Sequence, residues 1–302
     1  MTACDKFIGL TGTTCVGKSA VAVQLAKRLG TYVISADSMQ IYKGMDIGTA
    51  KISSGEMQGV QHYMLDIVEP NCNFSAGDYV EMTSKLIHNG AKPPVVCGGT
   101  GFYFDSLLFP SEFDEVSPER RAELQAIAAQ PDGLQILTDL LRQLDPDGAK
   151  TIDLRNPKRV LRAVEIAESG KSVAKGVGRN RVPMYDAQIF VLHRDRDELY
   201  RMTDRRVDEM VGSGLFEEVQ RLVDKYGICD TTAFSAIGYK EIVECLQGKC
   251  TRQEAIDRIK LNTRHYVKRQ ITYFKRLPFT IYIDVTDKTV EQVVDEILTQ
   301  IR

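Results

Sequence analysis

The sequence predicts an α/β fold, in which a parallel β-sheet carries helices on its faces and a mostly helical segment is inserted into it. Strand-like and helix-like patterns alternate over the first third of the 302 residues and return after residue 184. Between residues 113 and 184 the patterns are helical, without a convincing strand. We therefore predict a core domain of residues 1–112 and 185–302, and an inserted helical domain of residues 113–184.

A glycine-rich loop joins the first strand to the first helix. Residues 6–11 contain the apolar run of a buried strand, and residues 19–29 are apolar at helical spacing until Gly30 ends the pattern. The loop Gly12–Ser19 reads Gly-Thr-Thr-Cys-Val-Gly-Lys-Ser, a complete G-x-x-x-x-G-K-[ST] phosphate loop. Because strand, loop and helix follow in the required order, we predict a P-loop NTPase-like core. A plain turn between strand and helix is the alternative.

The chemistry of this loop is specific to phosphate. Two glycines let the backbone turn its N–H groups towards a polyphosphate, and the dipole of the following helix adds to that field. Lys18 adds a positive charge, and the Ser19 hydroxyl is a predicted Mg²⁺ ligand. The predicted phosphate-binding residues are Gly12, Thr13, Thr14, Cys15, Val16, Gly17, Lys18 and Ser19.

The same periodicities predict the remaining elements. Ser75 with Asp78 begins one helix in the manner of a capping box, and Ser117 before Pro118 begins another. The further strands are expected at 31–35, 94–98, 187–192 and 279–283. The further helices are expected at 76–89, 118–129, 133–143, 157–169, 196–212, 215–225, 238–247, 251–275 and 289–301.

Asp37 is a candidate general base. It follows the second strand, and the carboxyl ends of parallel strands border the crevice in which α/β sheets bind ligands. A carboxylate that only forms an Asx turn or caps a helix is the alternative interpretation.

The strand at 94–98 ends in Gly98–Gly101, where the metal-binding strand of a nucleotide hydrolase would end in an acid. The nearest acidic candidate, Tyr63–Asp66, is short and unconvincing. Nucleotide hydrolysis is therefore disfavoured, and phosphate is expected to serve as a handle or a leaving group. A plain turn from strand to helix is the alternative for the glycines.

The composition is that of an ordinary globular protein, with 43% hydrophobic and 26% charged residues. We expect no membrane span and no secretion signal. Seven scattered cysteines without a C-x-x-C pair indicate reduced thiols in the cytoplasm, and we expect no structural metal besides Mg²⁺ held with phosphate.

Charge is segregated although the net charge is only −2. Residues 151–181 carry eight basic and three acidic side chains, and residues 249–276 carry nine basic and two acidic ones. Two segments of net +5 and +7 leave −14 for the remainder, as expected of a protein with a surface for a polyanion. Two well-solvated helix faces are the alternative.

Six segments together closely resemble the tRNA dimethylallyltransferase (isopentenyltransferase) family, in the family's order and over nearly the whole chain. They are Gly12–Ser19, Asp37–Lys51, Gly98–Gly101, Asn156–Ala163, Ala236–Glu241 and Lys268–Thr272. The second is the longest and the most specific. Departures are small: Thr13 stands where the family often has proline, and Tyr273-Phe274 where tryptophan is common. Without the zinc finger of eukaryotic members, the chain resembles a bacterial form.

The resemblance implies that the dimethylallyl group of dimethylallyl diphosphate moves to N6 of the adenosine at position 37, beside the anticodon, in tRNAs that read codons beginning with U. Lys18, Arg206 and Mg²⁺ on Ser19 would stabilise the leaving diphosphate, Asp37 would accept the N6 proton, and Thr100 would lie on the tRNA side. The base would have to leave the stack of the anticodon loop. The implied tRNA contacts are Asp37, Ser38, Met39, Gln40, Thr100, Arg121, Lys158, Arg159, Arg162, Lys240, Lys268, Arg269 and Gln270.

Three other functions stay open on the sequence alone. An adenylate isopentenyltransferase would use AMP, ADP or ATP as acceptor, but the helical insertion and the basic segment 249–276 favour tRNA. A P-loop kinase of small metabolites would need an adenine pocket and lid arginines, which the sequence does not indicate. An RNA-binding module without catalysis is disfavoured by the intact Lys18, Ser19 and Asp37. A monomer is the expected state.

Overall fold

The computed structural model describes residues 5–109, 117–176 and 182–301. The chain divides into two compact units, the first formed by Met1–Leu108 with Met184–Arg302 and the second by Phe109–Pro183. The expected boundary between residues 112 and 113 lies outside the described residues, as do Arg179 and Arg181 of the first basic segment.

The first unit is built on a parallel sheet, which confirms the predicted α/β fold. Its six strands follow the order β3-β2-β4-β1-β5-β6, and every neighbouring pair is parallel. The strand of the phosphate loop therefore lies between β4 and β5, inside the sheet. The strands are β1 (Lys6–Gly12), β2 (Val33–Ser35), β3 (His62–Tyr63), β4 (Val95–Cys97), β5 (Asp186–His193) and β6 (Thr280–Asp284).

The helices agree with their sequence-predicted positions to within a few residues, and α2, α4 and α7 are additional. They are α1 (Lys18–Leu29), α2 (Ser54–Met57), α3 (Ala76–Asn89), α4 (Gly101–Leu108), α5 (Pro118–Ala128), α6 (Gly133–Leu144), α7 (Pro146–Ala149), α8 (Pro157–Glu168), α9 (Arg196–Gly212), α10 (Leu215–Tyr226), α11 (Tyr239–Leu246), α12 (Arg252–Phe274) and α13 (Val290–Gln300). None of the helices in the described ranges is both long and apolar enough to cross a bilayer.

Local signals set the helix ends as expected. Ser75 and Asp78 form a complete capping box at the start of α3, and the Ser117 hydroxyl accepts a hydrogen bond from the N–H of Arg120. Gly30 ends α1 in the left-handed conformation, with φ of 62°.

Each unit has its own hydrophobic core. In the first unit, Leu10 of β1, Leu25 of α1, Phe190 of β5 and Ile297 of α13 are fully buried in one cluster. This cluster packs α1 and α13 against one face of the sheet. In the second unit the buried cluster joins α5, α6 and α8. Its fully buried members are Leu124, Leu137, Leu141, Val160 and Val164.

The buried carboxylate of Glu218 fixes residues 46–48, in the segment that follows β2. Glu218 of α10 is 2% exposed, and its Oε2 accepts hydrogen bonds from the N–H groups of Asp46 (3.0 Å) and Ile47 (2.8 Å). Its Oε1 accepts from the N–H of Gly48 (3.1 Å) and from the Tyr239 hydroxyl (2.6 Å). One side chain thus satisfies three backbone donors of a segment without regular secondary structure.

We expect Glu218→Ala to destabilise the protein by about 2–4 kcal/mol, because it leaves the buried Tyr239 hydroxyl and three part-buried backbone N–H groups without this acceptor. Chemical denaturation followed by circular dichroism measures the change. Glu217→Ala is the matched control, since Glu217 is the exposed neighbour on the same helix and should change stability by less than about 0.5 kcal/mol. Equal effects of the two substitutions would contradict the assigned role.

Candidate active site

The phosphate loop turns sharply at the end of β1, as the sequence predicts. Gly12 has a φ of 144°, and a Cβ there would lie 2.3 Å from the carbonyl oxygen of Leu192 in β5, so only glycine fits. Cys15 and Gly17 also have positive φ, at 66° and 86°. This backbone reverses within a few residues and directs the chain into α1 with the N-terminus of that helix at the loop.

Lys18 is half-buried and curls over the loop. Its Nζ donates to the carbonyl oxygens of Gly12 (3.0 Å) and Thr13 (2.6 Å). Burial lowers the pKa of Lys18, while the nearby Asp37 carboxylate is among the groups that raise it. The ammonium therefore contacts the phosphate loop and interacts electrostatically with Asp37.

Asp37 follows β2 and is half-buried. Its Oδ1 accepts a hydrogen bond from the N–H of Met39 at 2.9 Å, so the Asx turn offered as the alternative is present. Thr100 ties this turn to the loop after β4: its hydroxyl accepts from the Ser38 N–H at 3.0 Å and donates to the Ser38 hydroxyl at 3.2 Å. The turn holds Asp37 beside the loops of β1 and β4.

Steric crowding explains the two glycines after β4. A Cβ on Gly98 would lie 2.1 Å from the carbonyl oxygen of Ala36, and one on Gly99 would lie 2.6 Å from Nε2 of Gln270. These residues do form a turn into a helix, α4. In the sheet, β4 lies next to β1, and β4 ends in Cys97 rather than in an acidic residue. Asp66 follows the edge strand β3 and pairs with Lys51 at 2.6 Å.

Helices α9 and α12 supply the other polar groups. Arg206 of α9 is half-buried, with its Nη1 3.8 Å from the Cys15 Sγ, whereas Arg205 is exposed. Tyr266 of α12 lies near Asp37 and Gly99, and burial raises the pKa of its hydroxyl, followed by the effect of the Asp37 charge. This hydroxyl stays protonated as a hydrogen-bond donor across the physiological range.

A cavity of about 1380 Å³ joins these groups. Its lining includes Lys18, Ser19, Asp37, Arg206 and Gln270. The lining also includes the predicted tRNA-binding residues Ser38, Met39 and Gln40 and the apolar side chains of Ile47, Met210, Leu215 and Ile237. The volume exceeds what a diphosphate ester needs and suits two substrates that react with each other.

The predicted RNA contacts fall into two sets. On the second unit, Lys158 and Arg159 are exposed, whereas Arg121 and Arg162 both pair with the buried Glu165, at 2.9 and 2.6 Å. These two ion pairs therefore stabilise the helical unit, in addition to any contact that the arginines make with RNA.

On the first unit, Lys240, Lys268 and Arg269 are exposed, and the Arg269 guanidinium lies 5.6 Å from the Tyr266 ring centre. Gln270 is 4% exposed and hydrogen-bonded inside the protein.

The residues present fit Mg²⁺ bound together with phosphate. In the described part of the chain, no group of three or more His, Cys, Asp or Glu side chains could hold a metal by itself. Ser19, the second residue of α1, is exposed at the cavity, and the buried Thr13 hydroxyl has no hydrogen-bond partner among the described residues. Because Mg²⁺ usually takes few protein ligands and completes its shell with phosphate oxygens and water, one loop hydroxyl suffices.

The buried hydrogen bonds that shape the cavity carry no sequence signal, although Tyr239 lies in the segment Ala236–Glu241 and Gln270 was an expected RNA contact. Glu218 and Tyr239 shape the cavity wall through buried hydrogen bonds, and the inward hydrogen bonds of Gln270 connect it to two loops. Their partners are more than 150 residues away or lie on another helix, so neither spacing nor periodicity indicates them. Gly48 comes closest to a sequence signal for the Tyr239 contact, because a Cβ at this glycine would lie 2.6 Å from the Tyr239 ring.

Fold and site together define a P-loop protein whose phosphate loop faces a carboxylate across a cavity, without the acid of a nucleotide hydrolase on the neighbouring strand. A family model described as IPP transferase matches residues 40–277. The chain belongs to the IPP transferase family, which confirms the resemblance.

Curated relatives and solved structures agree with that assignment. The tRNA dimethylallyltransferase of Caldanaerobacter subterraneus subsp. tengcongensis is 42% identical over 303 residues, 95% of each chain. The enzyme of that name from Bacillus subtilis is 42% identical over 284 residues, 92% of this chain and 90% of the relative. The crystal structure of a tRNA delta(2)-isopentenylpyrophosphate transferase from Staphylococcus epidermidis matches with a TM-score of 0.71 at 36% identity, over 98% of each chain. A eukaryotic dimethylallyltransferase acting on tRNA matches with a TM-score of 0.83 at 25% identity, over 99% of this chain and 80% of the other.

We expect Lys18→Met to weaken the binding of inorganic diphosphate about 10- to 100-fold, because a charge-assisted hydrogen bond is lost. Isothermal titration calorimetry in the presence of Mg²⁺ measures the affinity. Diphosphate binds the ammonium form, so the wild-type affinity should fall as the pH rises through the lowered pKa of Lys18, and the variant should lack this component. Lys85→Met, at an exposed position on α3, is the control; an unchanged affinity for Lys18→Met would contradict the role.

Proposed function

We propose that the protein is a tRNA dimethylallyltransferase that moves the dimethylallyl group of dimethylallyl diphosphate to N6 of adenosine 37 in tRNAs reading codons that begin with U. The products are N6-isopentenyladenosine and diphosphate. The observation that carries the proposal is the pairing of a complete phosphate loop with the Asp37 carboxylate in one cavity, in a chain of the IPP transferase family.

The donor side of the reaction needs a stabilised leaving group. An allylic diphosphate loses its C–O bond as negative charge develops on the diphosphate oxygens, so donors fixed around those oxygens lower the barrier. The loop N–H groups, the Lys18 ammonium and the Arg206 guanidinium are the donors of this chain. Mg²⁺ on the Ser19 hydroxyl would supply further charge neutralisation.

The acceptor side needs a base, because an aromatic amine is a weak nucleophile. Asp37 accepts a hydrogen bond from the N6 amino group, orients it towards the allylic carbon and takes its proton as the C–N bond forms. With Oδ1 held by the Met39 N–H, Oδ2 is the oxygen left for this part. Thr100 fixes the turn through Ser38 and contributes to the acceptor side.

The RNA surface is proposed from charge and exposure. Lys158 and Arg159 on the helical unit, with Lys240, Lys268 and Arg269 on the core unit, contact phosphates of the anticodon stem-loop. Arg121 and Arg162 join the first set through their exposed guanidinium edges, and the adenosine is extruded from its loop to enter the cavity. The protein acts as a monomer in the cytoplasm, where its free thiols stay reduced.

An assay of prenyl transfer tests the proposal. With dimethylallyl diphosphate and Mg²⁺, we expect N6-isopentenyladenosine in unmodified tRNA, detected by mass spectrometry after nuclease digestion. A matched tRNA with guanosine at position 37 should stay unmodified, since it lacks the N6 amino group. Prenylation of AMP but not of tRNA would support the adenylate enzyme instead, and ATP consumption without prenyl transfer would support a kinase. RNA binding without turnover would leave only a binding module.

Asp37→Asn should lower kcat about 10²- to 10⁴-fold with little change in diphosphate affinity, because asparagine keeps the acceptor for the Met39 N–H but cannot take a proton. Single-turnover kinetics and calorimetry give the two quantities. Asp224→Asn, on the exposed face of α10, is the control and should retain wild-type kinetics. Loss of diphosphate binding in Asp37→Asn would assign Asp37 to the architecture of the loop instead of to proton transfer.

A further inference from the structure

Gln270 occupies a position in α12 at which its side-chain amide lies between two catalytic loops. Its Oε1 accepts a hydrogen bond from the N–H of Thr14 in the phosphate loop at 3.0 Å. Its Nε2 donates to the carbonyl oxygen of Gly99, directly before Thr100, at 2.9 Å. The side chain is 4% exposed, so both hydrogen bonds form away from bulk water.

One of the two loops serves the prenyl donor, and the other serves the acceptor amine. The Thr14 side holds the donor diphosphate, and the Gly99 side fixes Thr100, which orients the turn of Asp37. Strand pairing between β1 and β4 ends at the Gly98 N–H, which donates to the Leu10 carbonyl oxygen at 3.1 Å, and the Thr11 hydroxyl donates to the Gly98 carbonyl oxygen at 2.8 Å; both bonds lie before Thr14 and Gly99. The amide of Gln270 therefore supplies a direct link between the donor loop and the acceptor loop.

We propose that Gln270 is a positioning residue that sets the distance between the phosphate loop and the Asp37–Thr100 turn. This inference rests on the proposed prenyl transfer and assigns Gln270 a part other than the RNA contact expected from the sequence. A primary amide is suited to the task because it presents one acceptor and one donor in a single plane. A shift of about 1 Å between reacting groups costs on the order of 10²-fold in rate, so a lost bridge should appear in kcat.

Gln270→Met removes both hydrogen bonds at similar volume. We expect kcat for prenyl transfer to fall about 10- to 100-fold at saturating tRNA and donor, with the tRNA dissociation constant close to wild type and a melting temperature lowered by only a few degrees, because the Thr14 N–H and the Gly99 oxygen each lose a partner. Gln253→Met is the matched control, because Gln253 lies exposed on the same helix, where its amide donates to the Asp257 carboxylate. Unchanged kcat would overturn the proposal. Weaker tRNA binding with unchanged kcat at saturation would also overturn it and restore the RNA contact.

Gln270→Glu is a second test, for the case in which Gln270→Met lowers kcat by impairing folding and not by displacing the two loops. A protonated glutamic acid reproduces the amide, with a carbonyl oxygen for the Thr14 N–H and a hydroxyl for the Gly99 oxygen, whereas the carboxylate faces that oxygen without a donor. Burial and the nearby Asp37 charge raise the pKa of such a carboxyl group. The ratio of variant to wild-type kcat should therefore rise as the pH is lowered from about 8 to about 6. A ratio that does not change with pH would count against the proposal, whatever the stability of Gln270→Met.

Failure of the proposed function is recognised separately. If the wild-type protein transfers no prenyl group to tRNA, the reaction is wrong, and the bridge is then judged by calorimetry with inorganic diphosphate. Gln270→Met should weaken that binding about 3- to 10-fold relative to Gln253→Met, because the phosphate loop loses the hydrogen bond that anchors its backbone at Thr14. Equal diphosphate affinities in this case would overturn the inference.

Discussion

The backbones of Ala36 and Gly98 lie so close together that no side chain fits between them, and the site depends on this approach. The Thr100 N–H donates to the Ala36 carbonyl oxygen at 3.1 Å, and the Thr11 hydroxyl donates to that of Gly98 at 2.8 Å. The ends of three neighbouring strands, β2, β4 and β1, are thereby joined in one layer. Asp37 and Lys18 can influence each other electrostatically because of this arrangement.

Buried polar side chains of the later helices complete what the sheet begins. Glu218 holds the segment at Ile47, and Gln270 holds the phosphate loop, each through backbone N–H groups that have no strand or helix partner. The sheet supplies the position of the loops, and these side chains supply their conformation. A site built in this way keeps exposed charges for its ligands and uses buried hydrogen bonds for its own shape.

The sequence is informative where the signal is local. The phosphate loop, the capping box of Ser75 and Asp78, and the end of α1 at Gly30 were all predictable, because each depends on residues a few positions apart. The short helix α2 and the strand β3 were not predicted, since four and two residues are too few to show a period.

Charge patterns are informative only in part, because a count of basic residues does not reveal their partners. Arg162 pairs with the buried Glu165 at i,i+3 spacing on α8, but Arg121 reaches the same carboxylate from α5, which no spacing rule indicates. For Gln270 the chemistry of the residue allowed an RNA contact, and only the fold shows that its amide faces two loops. Long-range pairing of polar groups is the property that a single sequence hides.

The pairing of β1 with β5 has a consequence for folding during synthesis on the ribosome. The phosphate loop is synthesised long before β5, and its strand lacks one neighbour until residues 186–192 have emerged. The bond between Thr14 and Gln270 spans 256 positions and forms later still. Nascent chains that stop short of α12 hold the residues of a phosphate loop but lack the hydrogen bond from Gln270, so the site is assembled only after α12 has been synthesised.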